Sequence, residues 1–152
     1  MDGWQTQVVT ASATEVASAC QLTVLLPTYN EELAIEPVLD EIVAALANES
    51  IHYEILVVDD ASTDGTADLA ERYAADCWQC TIRVIRCLEN RGAGAARKVG
   101  IRNAQGDVVV MLDADGTYPA ASIPDLLKHF PAYDQVNGAR TSEQGTMPWL
   151  RV

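Results

Sequence analysis

Short apolar runs alternate along the chain with segments in which apolar residues recur at helical spacing. The runs are continuous and rich in β-branched side chains. They occupy residues 22–26, 55–58, 81–85, 108–112 and, more weakly, 135–139. Runs of this kind are typical of strands that are buried on both faces of a sheet. The pattern therefore predicts five strands.

Helical signals occupy the segments between these runs. In the first segment, apolar residues from Val38 to Leu46 recur at helical spacing, and Pro37 stands where a first helical turn tolerates proline. The other predicted helices are one capped by Ser62, Thr63 or Asp64, one over about residues 94–104, and one from Ser122 to about His129 that opens with a capping-box pattern at Ser122 and Asp125.

Strand and helix alternate throughout, which predicts an α/β fold with a mainly parallel sheet flanked by helices. Residues 1–20 are small and polar without clear periodicity, and we expect a flexible N-terminal extension there, followed by one domain over residues 21–152. Residues 148–152 resemble the first turn of a further helix, so we expect a chain truncated at its C-terminus. In parallel sheets ligands bind beyond the carboxyl ends of the strands, which makes those ends the candidate site.

Length and charge narrow the function. The chain has 152 residues, 49% of them hydrophobic, which is enough for one domain with a real core. Its net charge of -12 argues against a nucleic-acid partner. The charge is uneven: the first 71 residues contain fourteen acids and no Lys or Arg. A basic stretch follows that could bind a small anion: Arg83, Arg86, Arg91, Arg97, Lys98 and Arg102.

Cysteine usage and hydropathy bear on the compartment. No apolar run approaches the length of a membrane span, and the first twenty residues lack the basic start of a secretory signal. Four cysteines (Cys20, Cys77, Cys80 and Cys87) are too few for a disulfide scaffold, which favours a reduced, cytoplasmic setting. Cys77 and Cys80 have the spacing of a redox or half-zinc motif, but no second pair follows, so ordinary thiols are favoured.

The first predicted strand ends in Pro27, Tyr29 and Glu31. A rigid proline, an aromatic ring and a carboxylate at one strand end can stack on a base or sugar and accept its donors. The competing interpretation is a turn followed by acids near a helix N-terminus, which the helix dipole favours.

The second strand ends in Asp59 and Asp60. Two adjacent acids are costly to bury, so at least one is expected to face a ligand or to cap the next helix. We assign the following Ser62, Thr63 and Asp64 to capping, and Asp60 to ligand contact.

The third strand leads into residues 90–98, where Gly92 and Gly94 precede Arg97 and Lys98. Glycines allow close approach of the backbone, and a helix N-terminus beside Arg and Lys suits a phosphate. Taken one at a time, however, Arg97, Lys98 and Arg102 fit better on a solvated helix face.

The fourth strand ends in Asp113, Ala114 and Asp115. Two carboxylates one residue apart can present oxygens to one hard divalent cation, Mg²⁺ or Mn²⁺, which would bridge to phosphate oxygens. An Asp-Gly turn at Asp115 and Gly116 is the alternative, although it does not account for Asp113.

The glycines also suggest a rival function. Residues 92–97 partly match a dinucleotide-binding fingerprint, and Asp113 lies where a ribose-binding acid would stand, as in an NAD(P)-binding Rossmann oxidoreductase. Two features weaken this alternative: Arg97 occupies the place of the third glycine, and residues 87–91 separate the strand from the first glycine.

Taken in order, the four strand ends resemble the family 2 glycosyltransferases of GT-A fold. The matching residues are 22–31, 57–62, 90–97 and 113–115. Residues 113–119 and 133–140 are most similar to the group of dolichol-phosphate mannosyltransferases and polyprenyl-phosphate sugar transferases. The resemblance implies a metal-dependent hexosyltransferase of which residues 21–152 form the nucleotide-sugar-binding part.

The same resemblance implies roles for individual residues. Donor binding would involve Pro27, Tyr29, Glu31, Val58, Asp60, Asp113, Ala114, Asp115 and Arg140, and a looser match at Arg151. Asp113 and Asp115 match the Asp-x-Asp loop that holds Mg²⁺ or Mn²⁺ and the donor diphosphate, which makes Asp115 the catalytic residue. Relatives often carry a glutamine as a further metal ligand two positions later, where this chain has Thr117.

The implied donor is a GDP-mannose or UDP-glucose type of nucleotide sugar, and the implied acceptor is a dolichyl or polyprenyl phosphate. A lipid acceptor would bring a cytoplasmic protein to the membrane surface without a transmembrane anchor. In the family the acceptor groove comes largely from sequence that follows this part, so the chain by itself is expected to bind donor but to transfer sugar poorly. The non-enzymatic alternative is a nucleotide-binding fragment.

Overall fold

A computed structural model describes the backbone of residues 7–10 and 20–138, with side chains over 20–138. Its five strands are β1 (Gln7–Thr10), β2 (Leu22–Thr28), β3 (Tyr53–Asp59), β4 (Thr81–Arg86) and β5 (Val108–Met111). Its helices are α1 (Ile35–Leu46), α2 (Thr66–Asp76), α3 (Ala93–Asn103) and α4 (Ile123–Leu127), the last preceded by a 3₁₀ turn at Ala120–Ser122.

The strands form one sheet in the order β1-β4-β3-β2-β5. Strands β2 to β5 are parallel, and β1 pairs antiparallel with β4. Every residue of β2 is buried, as expected for a central strand covered on both faces. The α/β architecture with a mainly parallel sheet is therefore confirmed.

Two apolar layers cover the sheet. On one face α1, α2 and α4 pack over residues such as Val24, Leu26 and Val57, and on the other α3 packs over Leu25 and Val58. Helix α3 approaches β2 very closely at Gly100: a Cβ added there would lie 2.2 Å from Leu25 Cδ1. A larger residue at position 100 would require α3 or Leu25 to move.

Three predictions about local structure differ from what is observed. The weak strand over 135–139 does not form in its described part, because residues 135–138 are irregular. Within the extension for which we expected no regular structure, Gln7–Thr10 form β1. The capping box at Ser122 is not made, because Ser122 Oγ donates a hydrogen bond to the Pro119 carbonyl (2.7 Å) instead. The domain boundary at residue 20 stays a prediction.

A buried ion pair lies at the amino end of the parallel strands. Arg83 Nη1 donates to Glu54 Oε2 at 2.9 Å, and both side chains are less than a tenth exposed. The same nitrogen donates to the Asn103 carbonyl (2.9 Å), and Glu54 Oε1 accepts from Thr23 Oγ1 (2.7 Å). This amino-edge network, which comprises Thr23, Glu54, Arg83, Asn103, Gln105 and Gly106, fixes the connection from α3 to β5.

Candidate active site

A cavity of about 250 Å³ opens at the carboxyl ends of the parallel strands. Its wall comes from the segments that follow β2, β3 and β5 and from the first turns of α3. The lining residues are Pro27, Thr28, Tyr29, Glu31, Asp60, Ala93, Ala96, Arg97, Asp113, Ala114 and Asp115. The structure thus brings together residues from all four strand ends, as the parallel topology requires.

The loop after β2 is fastened to the loop after β3. The Asn30 backbone N–H donates to Ser62 Oγ (2.9 Å), and the Thr63 N–H donates to Asn30 Oδ1 (2.8 Å). Ser62 and Thr63 therefore connect two loops and do not cap α2, contrary to our assignment. Asp64 does act at the start of α2, because its Oδ1 accepts from the Thr66 N–H (3.0 Å).

Two residues next to the cavity have left-handed backbone conformations without being glycine. Asn30 has φ 56° and Ala61 has φ 59°, and they follow the ends of β2 and β3. Such conformations cost alanine about 1 kcal/mol or more and persist where the surroundings fix them. The positions of Tyr29 and Asp60 beside them are accordingly well determined.

Asp60 lines the cavity, yet backbone groups already engage its oxygens. Asp60 Oδ2 accepts from the Gly92 N–H at 2.6 Å, and Oδ1 accepts from the Arg91 N–H at 3.1 Å. Asp60 is 3% exposed and holds the loop that leads into α3. Neighbouring Asp59 is also buried and accepts from the Ser62 N–H through Oδ2, while its Oδ1 has no partner among the described residues. The predicted ligand contact of Asp60 stays a prediction.

The two aspartates after β5 have different partners. Asp113 Oδ1 accepts from Arg97 Nη2 at 2.9 Å, and both side chains are about two-fifths exposed. Asp115 Oδ1 accepts from the backbone N–H (2.9 Å) and from the Oγ1 hydroxyl (2.7 Å) of Thr117. Thr117 therefore orients Asp115. It is Thr117 that stands in the position where relatives often carry a glutamine.

The cavity is acidic. Glu31, Asp60, Asp113 and Asp115 line it, against Arg97 as the one cation among the described lining residues. Burial, followed by the negative charges of Asp115 and Asp64, raises the pKa of Glu31. Such an excess of negative charge favours binding of a cation.

The donor set fits a divalent cation that shares its coordination with a ligand. Among residues 20–138, no group of three or more His, Cys, Asp or Glu side chains is placed to hold a metal by itself. Asp113 and Asp115 offer two carboxylates at the mouth of one cavity. Mg²⁺ is commonly bound in this way, through one or two carboxylates together with water and substrate phosphates.

Not all of the predicted site residues line the cavity. Val58 is fully buried in the core beneath α3, and its assignment to nucleoside binding stays a prediction. Arg140 and Arg151 lie outside the described residues. The list of donor-binding residues did not include the lining residues Thr28, Ala93, Ala96 and Arg97, although the segment over 90–98 was noted as suited to a phosphate. The parallel topology could have indicated these residues, because it places the first turns of α3 beside the ends of β2 and β5.

The basic stretch does not converge on one anion site. Arg83 lies in the amino-edge network, and Arg86 pairs with Asp68 and Glu71 on α2. Arg97 is the member of the stretch that reaches the cavity.

The four cysteines all lie within the described part of the chain. All four are free, and the Sγ atoms of Cys77 and Cys80 are 3.7 Å apart in the connection between α2 and β4. Burial, followed by the neighbouring Cys77, raises the pKa of Cys80 to about 12, so this thiol is protonated at neutral pH. In the described part of the chain we also find no helix with the length and apolar character of a membrane span.

Solved structures identify the class to which this fold and cavity belong, the GT-A glycosyltransferases. A mannosyltransferase from Pyrobaculum calidifontis, solved with GDP-Man and Mn²⁺, matches 67% of the chain at 36% identity with a TM-score of 0.58, over 29% of its own length. Glucosyl-3-phosphoglycerate synthase from Mycobacterium tuberculosis, solved with Mn²⁺ and UDP-glucose, matches 74% of the chain at 26% identity with a TM-score of 0.56, over 39% of its own length.

The chain belongs to glycosyl transferase family 2, whose family model matches residues 23–149. Mouse dolichyl-phosphate beta-glucosyltransferase is 37% identical over 71% of the chain and 34% of its own length. An undecaprenyl-phosphate 4-deoxy-4-formamido-L-arabinose transferase from Serratia proteamaculans is 34% identical over 86% of the chain and 40% of its own length. The chain thus spans roughly a third to two-fifths of these relatives. Membership of this family confirms the resemblance and does not favour the oxidoreductase alternative.

Proposed function

We propose that the chain is the donor-binding part of a glycosyltransferase that transfers a hexose from a nucleotide sugar to a polyprenyl or dolichyl phosphate. The observation that carries the proposal is the convergence of Tyr29, Glu31, Asp113 and Asp115 on one acidic cavity at the carboxyl edge of the sheet. The names of the similar dolichyl-phosphate and undecaprenyl-phosphate transferases support the acceptor class.

The nucleoside end of the donor would bind at the end of β2. Tyr29 is 46% exposed at the cavity, so its ring is available for stacking on a base or ribose. Pro27 and Glu31 flank it, and the Glu31 carboxylate can accept hydrogen bonds from the donor. The hydrogen bond from the Glu31 N–H to Thr66 Oγ1 (2.8 Å) keeps this loop in place.

The diphosphate end would lie between Asp113, Asp115 and the first turns of α3. Mn²⁺ or Mg²⁺ held by Asp113 and Asp115 would supply Lewis-acid stabilisation of the negative charge that develops on the departing nucleoside diphosphate. Asp115 is the assigned catalytic residue, and its hydrogen bonds from Thr117 hold it in place for this role. Ala114, between the two aspartates, lines the cavity although it is only 2% exposed and packs into the apolar core.

The attacking group determines whether a base is needed. A lipid phosphate is already ionised near neutral pH, so it can attack without a general base, whereas an alcohol has to lose a proton. A lipid acceptor also implies work at a membrane surface, on its cytoplasmic side. We assign the acceptor groove to sequence outside the described residues, and the division of the chain into an extension over 1–20 and a donor-binding part over 21–152 belongs to the same proposal.

The test is calorimetric titration of the chain with GDP and UDP, each with and without Mn²⁺. We expect the metal to raise nucleotide affinity by about tenfold or more, and Asp115→Ala to abolish this gain because one of two carboxylate ligands is lost. Glu41→Ala, which removes the same charge from an exposed position on α1, serves as the matched control and should behave as wild type.

Two outcomes would contradict the proposal. Nucleotide binding that is independent of metal and survives Asp115→Ala would exclude the metal assignment. Binding of NADH with no response to either nucleotide would revive the oxidoreductase alternative.

Transfer is tested separately, by joining the chain to the rest of a full-length relative and assaying a polyprenyl phosphate acceptor. Nucleotide binding without transfer in that protein would indicate a non-catalytic nucleotide-binding role.

A further inference from the structure

The ion pair between Arg97 and Asp113 joins the two sides of the cavity wall. Arg97 projects from the second turn of α3, and Asp113 follows β5. Their contact is a single Nη2 to Oδ1 distance of 2.9 Å, and 44% of the Arg97 side chain and 41% of the Asp113 side chain are exposed. The Arg97 guanidinium thus pairs with Asp113, which is one of the two carboxylates assigned to the metal.

Several contacts hold the backbone that carries Arg97, whereas one ion pair holds its side chain. Asp60 holds the start of α3 through the N–H groups of Arg91 and Gly92, and Gly100 packs directly against Leu25. By contrast, a half-exposed ion pair with one contact contributes little, about 1 kcal/mol or less in typical surface cases. A change of side-chain rotamer can therefore exchange the partner of Arg97 without moving the helix.

Small side chains line the same cavity as Arg97. Ala93, Ala96 and Ala114 are small side chains in its wall. Guanidinium groups bind phosphate oxygens through a fork of N–H donors, with more donors than the single contact to Asp113 uses.

We propose that Arg97 is a positioning residue that exchanges partners. In the ligand-free site it neutralises Asp113, and when a nucleoside diphosphate enters with a divalent cation it releases Asp113 to the metal and turns to the phosphate oxygens. This inference rests on the proposed function. It adds that Arg97 couples the two binding events, so that metal alone binds weakly and metal with nucleotide binds strongly.

The test measures Mn²⁺ affinity from the paramagnetic resonance signal of the free ion, in the absence and presence of saturating GDP or UDP. The ratio of the two affinities is the coupling factor, which is the same whichever ligand is added first. For Arg97→Gln we expect Mn²⁺ alone to bind about threefold to fivefold more tightly, because its competitor at Asp113 is gone. We expect the coupling factor to fall about tenfold, because the phosphates lose a charged donor.

The matched control is Arg102→Gln, which removes the same charge from an exposed position on α3. It should leave both the Mn²⁺ affinity and the coupling factor as in wild type. An Arg97→Lys variant keeps the charge but loses the fork, and it should give an intermediate coupling factor. Thermal unfolding of each variant verifies that the fold is intact.

The outcomes separate this inference from the function on which it rests. A coupling factor in Arg97→Gln equal to that of wild type, with nucleotide and metal still binding, would overturn the role of Arg97 and leave the donor site standing. The same drop in Arg102→Gln would overturn it too, since general electrostatics would then account for the effect. Wild-type protein that binds neither Mn²⁺ nor nucleotide would refute the proposed function itself.

Discussion

Two ion pairs between arginine and a carboxylate, one at each edge of the parallel sheet, have the same N–O distance and opposite surroundings. Arg83 and Glu54 meet at 2.9 Å at the amino edge, and Arg97 and Asp113 meet at 2.9 Å at the carboxyl edge. The first pair is less than a tenth exposed, and each partner also binds a backbone group: Arg83 Nη1 donates to the Asn103 carbonyl, and Glu54 Oε1 accepts from the Gln105 N–H. The second is about two-fifths exposed at the cavity.

The difference in burial indicates that the pair at the amino edge is structural, and it leaves the pair at the carboxyl edge free to serve the binding role proposed above. A buried charge that loses its partner is very costly, so Arg83 and Glu54 have to stay together in the folded protein. An exposed charge can exchange its partner for water or for a ligand at small cost. The N–O distance therefore does not distinguish the two pairs, whereas their burial does.

The largest effect is expected from breaking the buried pair. We expect Arg83→Met to lower the free energy of unfolding by about 3–5 kcal/mol, because it leaves the Glu54 carboxylate buried without its counter-ion. Arg97→Met, the same change in the exposed pair, should lower it by only about 1 kcal/mol or less. Urea denaturation followed by circular dichroism measures both.

The double variant Arg83→Met with Glu54→Gln checks the cause. It should recover much of the lost stability, since no unpaired charge remains in the interior. Equal losses in Arg83→Met and Arg97→Met would remove the distinction between the two edges.

The next largest effect concerns Gly106, whose N–H donates to Thr23 Oγ1 (2.9 Å) in the amino-edge network. A Cβ added at Gly106 would lie 2.4 Å from the Thr23 nitrogen and 2.5 Å from the Leu22 carbonyl carbon, and backbone atoms cannot rotate away. We expect Gly106→Ala to lower the free energy of unfolding by about 1–3 kcal/mol.

Gly94, near the start of α3 at the opposite edge, has open space where its Cβ would be, so Gly94→Ala is the matched control. It should be neutral or stabilising by about 0.5 kcal/mol, because alanine favours the helix. Thermal unfolding of both variants compares the edges, and a stable Gly106→Ala protein would show that the amino edge is less tightly packed than described.

The smallest expected effect is the loss of stability on replacing Asp64. Asp64 lies at the carboxyl edge and is exposed, yet it has a structural role, so it tests whether exposure at that edge excludes such a role. Desolvation acts to raise the pKa of Asp64. Hydrogen bonds from Thr66 and from the Glu32 N–H outweigh it, and the pKa is lowered from its ordinary value of 3.8. A lowered pKa means that the folded state favours the carboxylate. The contribution to stability is therefore present above pH 3.8 and is lost as the pH falls through the folded-state pKa.

We expect Asp64→Asn to lower stability by about 0.5–1 kcal/mol at pH 7, with the difference from wild type shrinking as the pH falls below 3.8. Urea titrations at several pH values measure this. A difference that does not change with pH would mean that the charge of Asp64 contributes nothing at the start of α2.

The fold was predictable where local pattern and tertiary context agree. Strands β2 to β5 were found from continuous apolar runs, because a parallel strand covered on both faces has to be apolar throughout. Strand β1 was missed, because Gln7–Thr10 lie in a polar segment and their pairing with β4 is a tertiary interaction. The weak strand predicted over residues 135–139 shows the reverse case, since its described residues 135–138 do not form a strand.

The site was predictable residue by residue only where the chemistry is unusual for the local position. Asp113 and Asp115 stood out because acids directly after a buried strand are costly unless they bind a partner or a ligand. Both lie at the cavity. Arg97 did not stand out, because a single arginine on a helix fits a solvated face equally well. The partners of Glu54 and Asp60 were also out of reach, since they depend on strand register and loop geometry across about thirty residues of chain.

The contact of Gly100 with Leu25 also has a consequence for engineering. Gly100 touches nothing in the cavity, yet it sets how closely α3 lies against β2, and α3 carries Ala93, Ala96 and Arg97 on the cavity wall. A methyl group added at position 100 would require α3 or Leu25 to move, and a movement of α3 would carry that wall with it. Position 100 is therefore a place at which the packing of α3, and with it the cavity wall, can be altered without replacing a lining residue.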